Sequence, residues 1–163
     1  MKLYIRQKVF SWRDRFSVMD QEGNDKYYVE GELFTMGKRL HVTDMTGTEV
    51  LTLRQKAWSL RPRYEIYQGD KHIGCVRAEF SPIKPRYAVD GLGWKAAGSF
   101  LGLDYAITAG SRQVAAIHKA FMSWGDSYEL SIAEKEDELP ALAVVLAIDC
   151  VLATQQAAAQ STL

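Results

Sequence analysis

Residues 139–154 read LPALAVVLAIDCVLAT, an apolar run of about sixteen residues broken by a single carboxylate, Asp149. A surface helix of a globular protein shows one apolar stripe, so a helix apolar on every side has to be enclosed by protein or by lipid. At about 1.5 Å per residue the run spans about 24 Å, and a bilayer crossing takes roughly 20 apolar residues. Asp149 near its middle makes a lipid-facing position costlier still. The stretch therefore reads as a buried core helix, and the preceding chain has to supply its enclosure.

That preceding chain has the period of β-structure. Leu3, Ile5, Gln7 and Val9 alternate with Tyr4, Arg6, Lys8 and Phe10, the spacing of a strand. After Ser11-Trp12-Arg13, the segment 15–20, the turn material Gln21-Glu22-Gly23-Asn24 and the segment 26–31 read as strand, turn, strand. A short pattern then recurs: an aromatic or Leu, any residue, a β-branched or Leu residue, and in the first five copies a turn glycine soon after. Its copies are Phe16-Ser17-Val18, Leu40-His41-Val42, Tyr64-Glu65-Ile66, Tyr87-Ala88-Val89, Tyr105-Ala106-Ile107 and Tyr128-Glu129-Leu130. Their first residues lie 24, 24, 23, 18 and 23 apart, which is the length of one hairpin with its connection. Six copies predict about twelve antiparallel strands, each hairpin marginal without its neighbours.

Twelve strands can build a sandwich or a closed barrel. An eight-stranded barrel is filled by its own side chains, whereas a larger one needs a filler or keeps a cavity. The apolar helix supplies a filler, and closure removes exposed sheet edges. The expected fold is thus mostly β, a closed twelve-stranded antiparallel barrel around a central C-terminal hydrophobic helix. Acidic residues 134–138 fit the start of that helix, with Asp137 as the expected cap and Pro140 in the first turn. One domain is expected over residues 1–156, with residues 157–163 a frayed polar tail and fraying setting in from Gln155.

With twenty Lys/Arg against twenty Asp/Glu the formal net charge is zero, which argues against a dedicated nucleic-acid binder. Its distribution is uneven. Residues 1–63 carry twelve Lys/Arg and eight Asp/Glu, residues 64–133 seven and seven, and residues 134–163 one and five. Cys75 and Cys150 form neither a metal-ligand cluster nor a disulfide framework and read as small buried apolar residues. Met1-Lys2-Leu3-Tyr4 leads into alternating residues rather than a continuous apolar run, so the expected location is cytoplasmic, with peripheral membrane contact as an extension.

Several stretches together resemble one family. They are Ile5-Arg6-Gln7-Lys8-Val9-Phe10-Ser11, Tyr28-Val29-Glu30-Gly31, Asp44-Met45-Thr46-Gly47-Thr48-Glu49-Val50, Arg54-Gln55-Lys56 and Leu146-Ala147-Ile148-Asp149. In order and spacing over roughly residues 3–152 they resemble the LURP-one-related family, particularly its small bacterial members. The resemblance implies the tubby C-terminal-like fold, a closed twelve-stranded barrel around a hydrophobic helix that phospholipid scramblases share. It implies no assigned activity. The more distant tubby proteins bind phosphoinositides through basic residues on the barrel wall, and that site does not map residue by residue onto this chain.

The candidate chemistry is sparse. His41, His72 and His118 fall on separate predicted strands at no metal-ligand spacing, so no metal site is expected. No Gly-x-Ser-x-Gly elbow supports a nucleophilic triad. Gly91-Leu92-Gly93 runs into Trp94-Lys95-Ala96-Ala97, without the Gly-Lys-Ser/Thr and helix that a phosphate loop requires, and reads as a barrel turn. Nothing calls for a cofactor. Lys38-Arg39, Arg61-Pro62-Arg63 and Lys84-Pro85-Arg86 each stand near a connection, with Phe34, Trp58, Tyr64 and Tyr87 nearby. If their barrel ends coincide, Lys38, Arg39, Arg61, Arg63, Lys84 and Arg86 form an anion surface with aromatics at an interface. Asp149 is expected to be hydrogen-bonded and to fix the register of the helix, because an unpaired buried carboxylate is expensive. The expected role is a non-enzymatic binding or scaffold module for an anionic phospholipid or a protein partner on the barrel exterior. The alternative is a scramblase-like protein that uses its C-terminal helix in the membrane.

Overall fold

The structure, a computed structural model, describes residues 1–6, 15–34, 37–122 and 125–162. Gln7 to Phe10 of the first predicted strand, Ser11-Trp12-Arg13 and the side chain of Phe34 lie outside the described residues. Twelve strands form one closed antiparallel barrel in which each strand pairs with its sequence neighbours and β1 (Lys2–Arg6) closes on β12 (Gly125–Ile132). Between them run β2 (Phe16–Met19), β3 (Asp25–Phe34), β4 (Gly37–Asp44), β5 (Glu49–Gln55), β6 (Arg63–Gln68) and β7 (Lys71–Glu79). The series continues with β8 (Arg86–Asp90), β9 (Trp94–Ser99), β10 (Asp104–Ala109) and β11 (Arg112–Met122). A short 3-10 turn, Lys135–Asp137, leads into α1 (Glu138–Ser161).

The six sequence copies are the even-numbered strands. Alternation points the first residue of each copy inward: Leu40, Tyr64, Tyr87, Tyr105 and Tyr128 are buried, and Phe16 packs against the same core. The pairing register shifts by a bulge toward the end of β2, β4, β6 and β10, and bulges add the local twist that closure demands. The turns after β2 and β4 share a device. Asp20 Oδ1 accepts the N–H groups of Glu22 and Asn24, and Asp44 Oδ1 those of Thr46 and Thr48, at 2.9–3.0 Å. Gly23 and Gly47 then take φ of 85° and 84°, where a side chain is strained.

α1 runs through the barrel. Ala141 to Ile148, Cys150 and Val151 each have no exposed surface, so the strands supply the enclosure that the apolar run requires. α1 and its lead-in are long and apolar enough to cross a membrane by length and composition, yet 56% of its apolar 18-residue window is buried inside the barrel. Fully burying one Leu, Ile or Val contributes about 1.5–3 kcal/mol, which makes α1 and the inward face of the strands one core. We call the end where α1 begins the lower end and the end where it leaves the upper end.

The start of the helix differs from expectation. Asp137 stands at the cap position but makes no capping bond. Its carboxylate accepts from Arg112 Nη1 at 2.6 Å, and the preceding 3-10 turn holds Asp137 in helical backbone (φ −86°, ψ −3°), a conformation from which a cap side chain does not reach back. The buried Glu138 anchors the lower end instead: Tyr27 donates to it at 2.7 Å and Lys26 Nζ lies 2.6 Å away. Beyond Thr154 the chain is helical to Ser161 and exposed from Gln155 on, in keeping with the high helix propensity of Ala and Gln.

Candidate functional site

The up-and-down order sends alternate connections to opposite ends. Turns β2–β3, β4–β5, β6–β7, β8–β9 and β10–β11 lie at the lower end, and β3–β4, β5–β6, β7–β8, β9–β10 and β11–β12 at the upper. Lys38, Arg39, Arg61, Arg63, Lys84 and Arg86 therefore all belong to the upper end, since each lies in an upper connection or opens the strand after one. Asp20, Glu22, Asp44, Asp70, Asp90, Glu134, Glu136 and Asp137 lie at or beyond the lower end. A chain with no net charge is thus polarised along its barrel axis.

The lower acids are largely engaged. Asp20 and Asp44 close turns, Asp90 holds Arg77 through two hydrogen bonds, and Asp137 and Glu134 hold Arg112. At the upper end Arg61, Arg63, Lys84 and Arg86 are exposed and, among the described residues, have no carboxylate in ion-pair contact. Arg63 stands directly across the β6–β7 pair from Arg77, whose charge Asp90 already matches. Lys38 and Arg39 are placed differently. Lys38 is half-buried and reaches Thr154 Oγ1 of α1 at 3.4 Å, and this burial lowers its pKa. Arg39 is half-buried, with Glu32 opposite on β3 and Arg54 opposite on β5.

The aromatic half of the expectation needs correcting. Tyr64 and Tyr87 are core residues, 0% and 2% exposed. The alternation that turns Arg63 and Arg86 outward turns the next residue inward. Trp58 is the residue at the surface, 96% exposed. It sits at φ 60°, an outlier for a bulky side chain and a form of strain that collects at functional sites. The same end carries apolar side chains that no sequence pattern marks: Leu60, Phe80, Ile83, Leu101 and Phe121, each at least 75% exposed. Apart from Met1 and Met45, every large apolar side chain exposed among the described residues lies at the upper end. Arg61 lies over the Phe80 ring at 5.8 Å and Lys119 over Phe121 at 5.3 Å, so cations and aromatics interleave. One groove of about 620 Å3 there is lined by Lys56, Trp58, Leu60, Arg61, Arg63, Arg77 and Phe80. In the sequence the only signal of these tips is their position, as apolar residues inside Ser/Pro/Arg-rich connections.

Inside the barrel, Asp149 accepts a hydrogen bond from the Tyr128 hydroxyl. Tyr87 and Tyr105 also feel its charge, and the buried Tyr105 hydroxyl has no partner among the described residues. Burial pushes the Asp149 carboxyl up to about 7 against the pull of Tyr128. Burial also pushes up the Cys75 thiol, to about 11, and the Cys150 thiol, which leaves both unreactive. The histidines lie on the outer wall. His41 bridges Glu49 (2.6 Å) and Glu32 (2.8 Å), His72 meets Glu65, and His118 meets Asp104 at 3.0 Å. Among the described residues no three His, Cys, Asp or Glu side chains gather as metal ligands.

The family model described as LURP-one-related matches residues 1–149. This chain belongs to the LURP-one-related family. Its relatives include the uncharacterized protein YxjI of Bacillus subtilis (strain 168), 36% identical over 93% of this chain and 94% of that protein. Protein LURP-one-related 14 of Arabidopsis thaliana is 27% identical over 43% of this chain and 35% of its own. An X-ray structure of another Arabidopsis thaliana protein superposes with a TM-score of 0.62 at 20% identity, covering 91% of this chain and 90% of the other. That likeness concerns the fold. None of these names states an activity.

Proposed function

We propose that this LURP-one-related barrel is a non-enzymatic module that docks its upper end onto an anionic membrane surface. The observation that carries the reading is the coincidence, on one barrel end, of exposed apolar tips and cations without carboxylate partners. Exposed apolar patches of this kind mark interaction surfaces. The tips come from consecutive loops along the rim, which suits a plane better than a single pocket suits a peptide. Trp58 and Phe80 sit where aromatic rings favour the headgroup level, and Arg61, Arg63, Lys84 and Arg86 face acidic lipid. Near such a surface each cation contributes about 1 kcal/mol, screened by salt, so four cations supply roughly 4 kcal/mol and the apolar tips the remainder.

The enclosure of residues 141–151 of α1 weighs against the alternative that this helix enters the bilayer. The test is flotation with phosphatidylcholine vesicles and with vesicles also containing phosphatidylserine, each at low and raised salt. Binding is expected only to the acidic vesicles, weakened by salt, and lost in R61E/R63E and in W58A/L60A. Equal recovery with both lipid mixtures, or none with either, overturns the membrane reading, and the surface then awaits a protein partner.

A further inference from the structure

A second cavity at the upper end, of about 670 Å3, lies between the β7–β8 and β9–β10 connections and the emerging turns of α1. Its volume is within the range of small-ligand sites, about 300–1,000 Å3. Its floor is apolar and preformed. Tyr87 and Phe100 are buried and meet edge to face at 4.8 Å, and Leu152 of α1 closes the deep side. From Leu152 to Ala159 the helix provides a wall about 10 Å long, with Gln155 and Gln156 between the two apolar residues. The flanks are Ile83 and Leu101, exposed at 86% and 75%. Charge stands at the rim, where Lys84 and Arg86 are exposed and have no carboxylate in ion-pair contact among the described residues. Glu79 also borders the cavity, opposite Arg86 across the β7–β8 pair and 3.9 Å from Lys95, so its charge is shared between the two cations.

A mostly apolar trough with two cations at its rim fits a linear ligand with an apolar body and a single anionic end. A compact sugar or nucleotide would leave its many polar groups unpaired against Tyr87, Phe100 and Leu152, at a desolvation cost. We propose that this cavity binds one medium-chain fatty carboxylate, its chain lying along α1 from Leu152 toward Ala159 and its head on Lys84 and Arg86. The proposal goes beyond membrane docking, because the ligand is a free amphiphile taken up without a bilayer.

The experiment is calorimetric titration of the full chain with laurate below its micelle concentration, alongside decanoate and octanoate. One saturable site per chain is expected, tightening with chain length by up to about fourfold per methylene. K84E/R86E is expected to weaken laurate about tenfold or more. Q156W, which fills the trough from an exposed helix position, is expected to abolish binding, and both variants should keep the wild-type melting profile. W58A/L60A serves to separate the two readings: it loses vesicle flotation and keeps laurate affinity. Absence of a saturable site, affinity independent of chain length, or unchanged affinity in either K84E/R86E or Q156W overturns the proposal.

Discussion

Replacing Asp149 by Asn isolates the effect of the one acid in the helical core. In the folded barrel burial raises the Asp149 pKa from 3.8 to about 7, opposed by the hydroxyl of Tyr128. The native state therefore holds a proton where the unfolded chain has released it. For an acid with a raised pKa, folding stability declines as pH climbs from the unfolded value and levels off above the folded one. Each pH unit in that window is about 1.36 kcal/mol, so the step from pH 5 to about pH 7 removes up to roughly 3 kcal/mol. Asp149 retains some exposure as a residue, which makes this an upper bound. An asparagine side chain at this position carries no charge, and its amide oxygen still accepts from Tyr128. D149N should already exceed wild type at pH 5, and the gap should widen up to about pH 7 and then hold to pH 8. Urea unfolding at the two pH values measures this: with a slope of about 1–3 kcal/mol/M, the wild-type midpoint should drop by about 1 M relative to D149N. His41, whose pKa is lowered by burial but raised further by its bonds to Glu49 and Glu32, loses its contribution in the same direction as pH rises. It is present in both proteins and cancels in the difference. A gap between D149N and wild type that does not change with pH, or wild-type stability that rises from pH 5 to pH 8, would refute the reasoning.

Two further outcomes follow from the plug. Leu146 has no exposed surface, and Leu146→Ala should cost about 2–5 kcal/mol in chemical denaturation through lost burial and a residual cavity; a loss below about 1 kcal/mol, on the order of a surface substitution, would mean that the barrel collapses around the helix. Truncation after Asp137 removes α1 and leaves the inward Val, Leu, Ile and Tyr side chains of the strands facing one another across a void, so aggregates are expected; a soluble fragment that melts cooperatively would show that the strands close without their filler.

The fold was legible because two signals needed each other. The run 139–154 demanded an enclosure, and the copies at Phe16, Leu40, Tyr64, Tyr87, Tyr105 and Tyr128 supplied one strand in every two. The helix start was legible as a position and not as a mechanism, since the Asp137 carboxylate had two possible partners and its distant one, Arg112, is invisible in local sequence. The basic residues stand out in the sequence, but their surroundings do not. Tyr64 and Tyr87 neighbour cations in sequence and face away from them in space, while Leu60, Phe80 and Ile83 look like ordinary loop residues until the strands are laid side by side. Summing charge over chain segments also obscures the polarity. Successive connections alternate between the two ends, so any long segment averages both.

The closure of β1 on β12 sets a condition on assembly. Lys2 is registered against Ser131 and Arg6 against Ser127, so the pairing that completes the barrel joins the two extremes of the strand order. Until β12 has been synthesised the growing sheet keeps two open edges, each a template for pairing with another chain. The helix that fills the centre follows all twelve strands, and no earlier fragment carries its own core. Contacts this distant in sequence slow folding. The nascent meander consequently has to be kept from its neighbours until β12 and α1 have emerged, and productive folding waits on that helix.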